Sequence, residues 1–278
     1  MNKTGKKLLI ASFLILLLTF GIVFALRLKE EAGKDEPADV PVYVIDDETG
    51  TEEKYDREAL KKVWDENHAI SSDYIGQILF PSGLLDLPFV QGPTNETYLR
   101  KDWKSGEYTE EGSVFLDYLN DLDDRNLILY GHFVYSNLDP ERTHMFTPLE
   151  KLLKQENYDA NKTVLLLLED EIREYEVAMV YYCELEADES GEYVYTRDDM
   201  QYYWVDDGER FFDYENRTIN ANYFREYIDA ARENAQYDTG VSFDFSDRFL
   251  TLQTCVENHD ELREIVLCKE VSRIPYTN

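Results

Sequence analysis

From about Tyr74 onward the chain is written in short apolar runs broken by turn formers, and this punctuation constrains its fold more than any other feature. YIGQILF stops at a Pro-Ser-Gly turn and LLDLPFVQG follows; GSVFLDYL, NLILYGHFV, EYVYTRD, RFLTLQTC and REIVLCKEV continue the series. Runs of this length between Gly, Pro, Asn, Asp and Ser read as strands. TVLLLLEDEIREYEVAMVYYCELEA reads as a hairpin turning at its acidic stretch, with Tyr175, Val177, Met179, Tyr181, Cys183 and Leu185 on one face of the second arm. The 21 tyrosines push the same way, because aromatic residues suit a pleated surface. Many short strands in one domain predict a mainly β fold, a closed or nearly closed barrel.

Three helices interrupt the pattern. EKYDREALKKVWDENH places Leu60, Val63 and Trp64 at helical spacing ahead of the strands. Thr147-Pro148-Leu149-Glu150 has a capping residue, a proline at the first helical position and a glutamate three after the cap, with Leu149, Leu152 and Leu153 turned inward. Over Asn222–Gln236 one stripe holds Phe224, Tyr227, Ile228, Ala231 and Ala235 and reads as core packing.

Ahead of all this, Leu8 to Leu26 runs LLIASFLILLLTFGIVFAL without a charge. At ~1.5 Å per residue in a helix it nearly crosses the hydrocarbon core of a bilayer. Lys3, Lys6 and Lys7 precede it and favour a cytoplasmic N-terminus. The rival reading is a cleaved signal peptide, but the run is long for one and no A-x-A site follows. The expected organisation is a cytoplasmic N-terminus (1–7), a transmembrane anchor (8–26), a charged extracytoplasmic linker with two prolines (27–50) and an exported domain (51–278).

The formal net charge of −30 repels phosphate backbones and excludes nucleic acid as a partner. Three cysteines, Cys183, Cys255 and Cys268, cannot all pair within one chain, and no CxxC or Cys/His cluster suggests zinc. Cys183 reads as a buried apolar residue of its strand and Cys268 likewise. The acidic run Val205-Asp206-Asp207-Gly208-Glu209 lacks EF-hand spacing, so no metal and no cofactor is expected. The N-x-T triplets at Asn95, Asn161 and Asn216 are frequent by chance and carry no weight.

Cys255 has a different setting. It ends the run RFLTLQTC, with Leu250, Leu252 and Thr254 on one strand face and the thiol on the other. A strand end holds a side chain rigidly yet leaves it reachable, which a nucleophile needs. After the polar stretch VENHDEL, Arg263 opens the next apolar run, and a hairpin-like return brings it beside Cys255. A fixed guanidinium there stabilises a developing oxyanion and favours the thiolate. A nucleophilic cysteine also needs a proton partner. Among His68, His132, His144 and His259, spacing favours His132, at the end of NLILYGH, with His259 next.

TLQTC followed eight positions later by Arg263, and preceded by LYGH, resembles the sortases, whose pattern is TLxTC with a downstream arginine opening the last strand and a histidine just after a middle strand. LPFVQGPTNETYLR, GSVFLDYLND, MFTPLEKL and a helix before the cysteine strand are similar to class B members, over about Tyr55 to Ile274. The resemblance implies a barrel of about eight strands and a catalytic set of His132, Cys255 and Arg263. It implies an extracytoplasmic transpeptidase that cleaves an LPxTG- or NPxTx-like C-terminal sorting motif after its threonine through a thioacyl-enzyme. The acceptor is then an amine of peptidoglycan or its lipid-linked precursor, at the membrane of a Gram-positive-type bacterium. Leu252, Gln253 and Thr254 are expected beside the substrate. Three features depart from the family: Gln253 stands where a small serine is common, Glu264 follows Arg263 where an apolar residue is common, and SNLDPERTH after His132 is a long insert. The alternatives are a pilin-polymerising sortase, a hydrolytic cysteine protease and, last, a non-catalytic surface binder.

Overall fold

The strand signals resolve into one closed barrel. In the computed structural model the described residues are 55–134, 144–187 and 221–276, with Gly191 and the short strands Val44–Ile45, Glu52–Glu53, Tyr193–Val194, Phe212–Asp213 and Thr218–Ile219. The expected anchor (8–26), nearly all of the linker (27–50), the insert SNLDPERTH up to Thr143 and the acidic run 205–209 lie outside them. Among the described residues no helix is long and apolar enough to cross a membrane.

Eight strands form the wall: β1 Tyr74–Leu79, β2 Asp86–Val90, β3 Val114–Leu116, β4 Asn126–Tyr130, β5 Thr163–Leu167, β6 Glu171–Glu184, β7 Phe249–Val256 and β8 His259–Pro275. Their order around the barrel is β7-β8-β6-β5-β1-β2-β3-β4, closing back to β7. Closure leaves no open edge. Two neighbouring pairs, β2–β3 and β4–β7, are parallel. Interior positions alternate along each strand: Leu127 and Leu129 of β4, Leu250 and Leu252 of β7, and Val266 and Cys268 of β8 pack with Ile78, Leu116, Val164 and Leu166. Each such aliphatic side chain contributes roughly 1.5–3 kcal/mol by leaving water.

The helices cover the outside. Helix α1, Arg57–His68, starts where the Asp56 side chain accepts from the Ala59 amide at 2.9 Å; it buries Leu60 and Trp64, and the Trp64 indole donates to the Ile75 carbonyl. Helix α2, Ala221–Asn234, lays Phe224, Tyr227, Ile228 and Ala231 over Met179, Tyr181, Cys183, Ile265 and Leu267 on the outer face of β6 and β8.

Two local expectations are corrected. Of the six residues expected on one face, Leu185 lies just past the end of β6 and the five within it are split between two faces. The register between β6 and β8 shifts at Ala178, where Met179 pairs with Leu267 but Val177 pairs with Cys268. One extra residue reverses the alternation, so Tyr175 and Val177 face the barrel interior while Met179, Tyr181 and Cys183 face α2. Thr147 does not cap a helix with its side chain. Thr147–Leu153 is a 3₁₀ segment, and the Thr147 hydroxyl accepts from the Val134 amide at 2.8 Å, tying the chain after His132 to this segment.

Candidate active site

Parallel pairing sets the site. Parallel neighbours end at the same rim, and Tyr130 of β4 lies opposite Gln253 of β7. Two residues further along each chain stand His132 and Cys255. The turn past β4 is fixed on both sides: the Gly131 amide donates to the Gln253 carbonyl at 3.1 Å, and the His132 carbonyl accepts from the Phe146 amide at 3.0 Å. Gly131 is needed for close approach, since a Cβ there would lie 2.5 Å from the buried Phe146 ring.

Across the other edge of β7, Cys255 lies opposite Arg263 of β8. The hairpin is tighter than the polar stretch suggested: β8 already begins at His259, and Asn258 turns the chain with a φ of 61°. The register breaks between Cys255 and Val256, leaving Asp260, Glu261 and Leu262 as an irregularity on β8. Its carbonyls hold the arginine, whose Nη1 donates to Asp260 O at 3.0 Å and Leu262 O at 2.7 Å. A bulge beside a site re-aims a side chain, and this one fixes one edge of the guanidinium.

Two cavities meet at these residues. One, about 360 Å³, is lined by Asn95, Leu99, Phe115 and Tyr130 and has mainly apolar walls. The second, about 570 Å³, is bordered by Arg100, Glu110, Glu111, His259 and Asp260. His132, Cys255 and Arg263 line both. Cys255 is half-buried, unlike Cys183 and Cys268, which are buried. Burial pushes the Cys268 thiol up, away from thiolate chemistry.

The His132 ring is oriented by the chain. Its Nε2 sits 2.8 Å from the Leu99 carbonyl, which only accepts, so Nε2 carries a proton and Nδ1 is the nitrogen that exchanges one. Burial holds the imidazole below its ordinary value; the Leu99 bond opposes this and the Arg100 charge adds to it. The Leu99 carbonyl lies 2.3 Å from where a Cβ on Gly112 would be, and Gly112 has a φ of 61°, so a glycine is required behind it.

Of the residues expected at the site, the fold brings His132, Cys255, Arg263, Gln253 and Thr254 to one cleft. Leu252 is corrected: strand alternation turns it into the barrel core, fully buried, away from the cleft. His259 reaches only the polar cavity, where its Nδ1 lies 2.8 Å from Glu261. Glu264, next to Arg263 in sequence, points to the opposite face and is 2% exposed. There burial first, and the nearby Glu150 second, push its carboxyl up to about 8. Sequence reasoning missed Asn95, Leu99, Phe115, Tyr130 and Arg100. They come from separate loops and strands, and only barrel closure gathers them.

No protein-family profile matches the chain. It is 24% identical over 221 residues to Sortase B of Staphylococcus aureus, spanning 78% of each chain. It is 25% identical over 193 residues to Sortase B of Listeria monocytogenes, spanning 69% of this chain and 66% of that one. Among solved structures, sortase B of Clostridium perfringens is similar at 25% identity with a TM-score of 0.54, over 75% of this chain and 99% of that one. The eight-stranded barrel and these relatives define a cysteine transpeptidase. Within that class, these similarities support a class B sortase.

Proposed function

We propose that the chain is a membrane-tethered wall sortase whose catalytic residues are Cys255, His132 and Arg263. The observation that carries this reading is that, among the described residues, these three are the ones that border both lobes of the cleft. A two-substrate exchange needs an acyl donor and an amine to reach one sulfur, and a junction between two cavities provides that access. The charge-free run 8–26 supports a single-pass anchor with the barrel outside the cell.

In this reading a sorting motif of LPxTG or NPxTx type lies in the apolar lobe. The Cys255 thiolate attacks the threonine carbonyl carbon, forming a C–S bond and an oxyanion that faces the Arg263 guanidinium. Collapse breaks the C–N bond, and the departing amine takes a proton from His132 Nδ1. A thioester remains on Cys255. An amine of peptidoglycan or its lipid-linked precursor then attacks the thioester. It gives a proton to His132, and the C–S bond breaks to return the thiolate.

The test is product analysis. The protein is incubated with a panel of sorting-motif peptides, with and without an added amine, and products are read by mass spectrometry. Amide product supports the reading. Hydrolysis that no amine diverts makes the chain a protease, and failure to cleave any motif makes it a binder.

A further inference from the structure

We propose that Asp117 is the positioning residue of the apolar lobe. This rests on the reading of that lobe as the acyl-donor groove. Asp117 follows β3, outside the catalytic set, and is 3% exposed. Its carboxylate gathers three donors. Oδ2 accepts from the Tyr130 hydroxyl at 2.8 Å and from the Asn95 amide nitrogen at 2.9 Å, and Oδ1 accepts from the Leu119 amide at 2.9 Å. Asn95 and Tyr130 both line the lobe, on the wall that leads to Cys255. One buried carboxylate therefore joins two groove-lining side chains from different parts of the chain.

The geometry leaves Asn95 no freedom. An amide side chain normally rotates by half a turn at little cost, exchanging donor and acceptor. Here Nδ2 faces a carboxylate, which only accepts, and Oδ1 accepts from the Tyr118 amide at 2.9 Å. Reversing the amide would set oxygen against oxygen and N–H against N–H. The second Nδ2 hydrogen and the second lone pair of Oδ1 are thereby presented in a fixed order to a peptide backbone in the lobe. Tyr130 is fixed in turn, its ring 5.2 Å from Phe115 and its hydroxyl on Asp117. The segment bearing Asp117 is itself held: Gln91 Nε2 donates to the carbonyls of Asp117 and Asn120, each at 2.8 Å. Asp117 does not touch the reacting atoms. It acts through Asn95 and Tyr130 and sets how strongly, and in which register, a peptide is held.

The experiment compares two labels of Cys255. One is a small methanethiosulfonate, which needs no groove. The other is a pair of peptides, Leu-Pro-Ala-Thr and Asn-Pro-Ala-Thr, each carrying a chloromethyl ketone where the scissile amide would be. Labelling rates are measured against concentration for wild type, Asp117→Asn, Tyr130→Phe, Asn95→Ala and the combined variants. Wild type is expected to react with one peptide at least tenfold faster than with its scrambled version. Asp117→Asn is expected to raise the half-saturating peptide concentration about tenfold or more, with the maximal rate and the methanethiosulfonate rate little changed. Adding Tyr130→Phe or Asn95→Ala to it should cost far less than their separate losses combined. If Asp117→Asn does not fold, the Tyr130→Phe/Asn95→Ala pair is expected to reproduce the loss alone. A peptide preference that survives in Asp117→Asn, or losses that simply add, overturns the inference while leaving the groove reading intact. No preference in wild type overturns both.

Discussion

Cys255 and Arg263 face each other across the β7–β8 hairpin, one on each strand, with the register broken immediately beyond them. The bulge that follows supplies the two carbonyls that hold the guanidinium. Two backbone carbonyls thus help to set the direction of the arginine. Arg263→Ala is expected to lower kcat/KM by about 10²–10³, the loss typical of removing one oxyanion donor. Arg263→Lys should recover little, because an ammonium lacks the planar fork that the two carbonyls grip. Steady-state kinetics on a motif peptide checks both; a lysine variant near wild type would leave only a charge requirement.

His132 should titrate below an ordinary histidine, burial being the main cause and the Arg100 charge a further one. Arg100→Gln removes a like charge and is expected to move the His132 titration upward. The acid limb of the rate profile should move with it. NMR of the imidazole resonances against pH measures the shift. Added salt should reduce the difference, since Arg100 is exposed and screened. A downward or absent shift would contradict the assigned causes.

Gly112 lies behind the carbonyl that orients His132. Gly112→Ala places a Cβ on the Leu99 oxygen and a side chain at positive φ, so it is expected to cost about 1–2 kcal/mol or more of stability. It should also lower turnover beyond what that loss explains, by moving the acceptor on Nε2. Thermal melts and kinetics at a temperature where the variant is fully folded separate the two effects.

Glu264 makes stability depend on pH. Its folded value of about 8 lies above the ordinary 4.5, so between them the folded chain holds a proton that the unfolded chain has released. The contribution is full below about 4.5 and is lost as pH rises through 8. Glu264→Gln stays neutral throughout. The two proteins should melt together near pH 5 and diverge toward pH 9, with the glutamine variant more stable by on the order of a few kcal/mol. Parallel melting curves across that range would contradict the burial of an ionisable carboxyl.

The barrel was legible because strand length and alternation are local properties. The β5–β6 hairpin and the covering stripe of α2 both follow from periodicity in one stretch of chain. What escaped depends on single residues. One bulged residue at Ala178 reversed the faces of β6, and no composition marks it. The same alternation that exposed Cys255 buries Leu252, which proximity in sequence alone had put beside the substrate. Thr147 has the chemistry of a cap, but the free Val134 amide needed an acceptor and took its hydroxyl. Leu99 and Asn95 reach the cleft, and Asp117 stands behind it, through loops and a strand end far from β7 in sequence, so their role becomes visible only once β3 and β4 close against it.

In the proposed reaction a substrate acyl group resides on Cys255. Acid-quenching the protein with a motif peptide within seconds, then measuring intact and digested masses, tests it most directly. One added acyl mass is expected, located on the fragment that contains Cys255 and discharged by hydroxylamine or by an acceptor amine. Product formation with an unmodified Cys255, or an adduct on Cys183 instead, would contradict it.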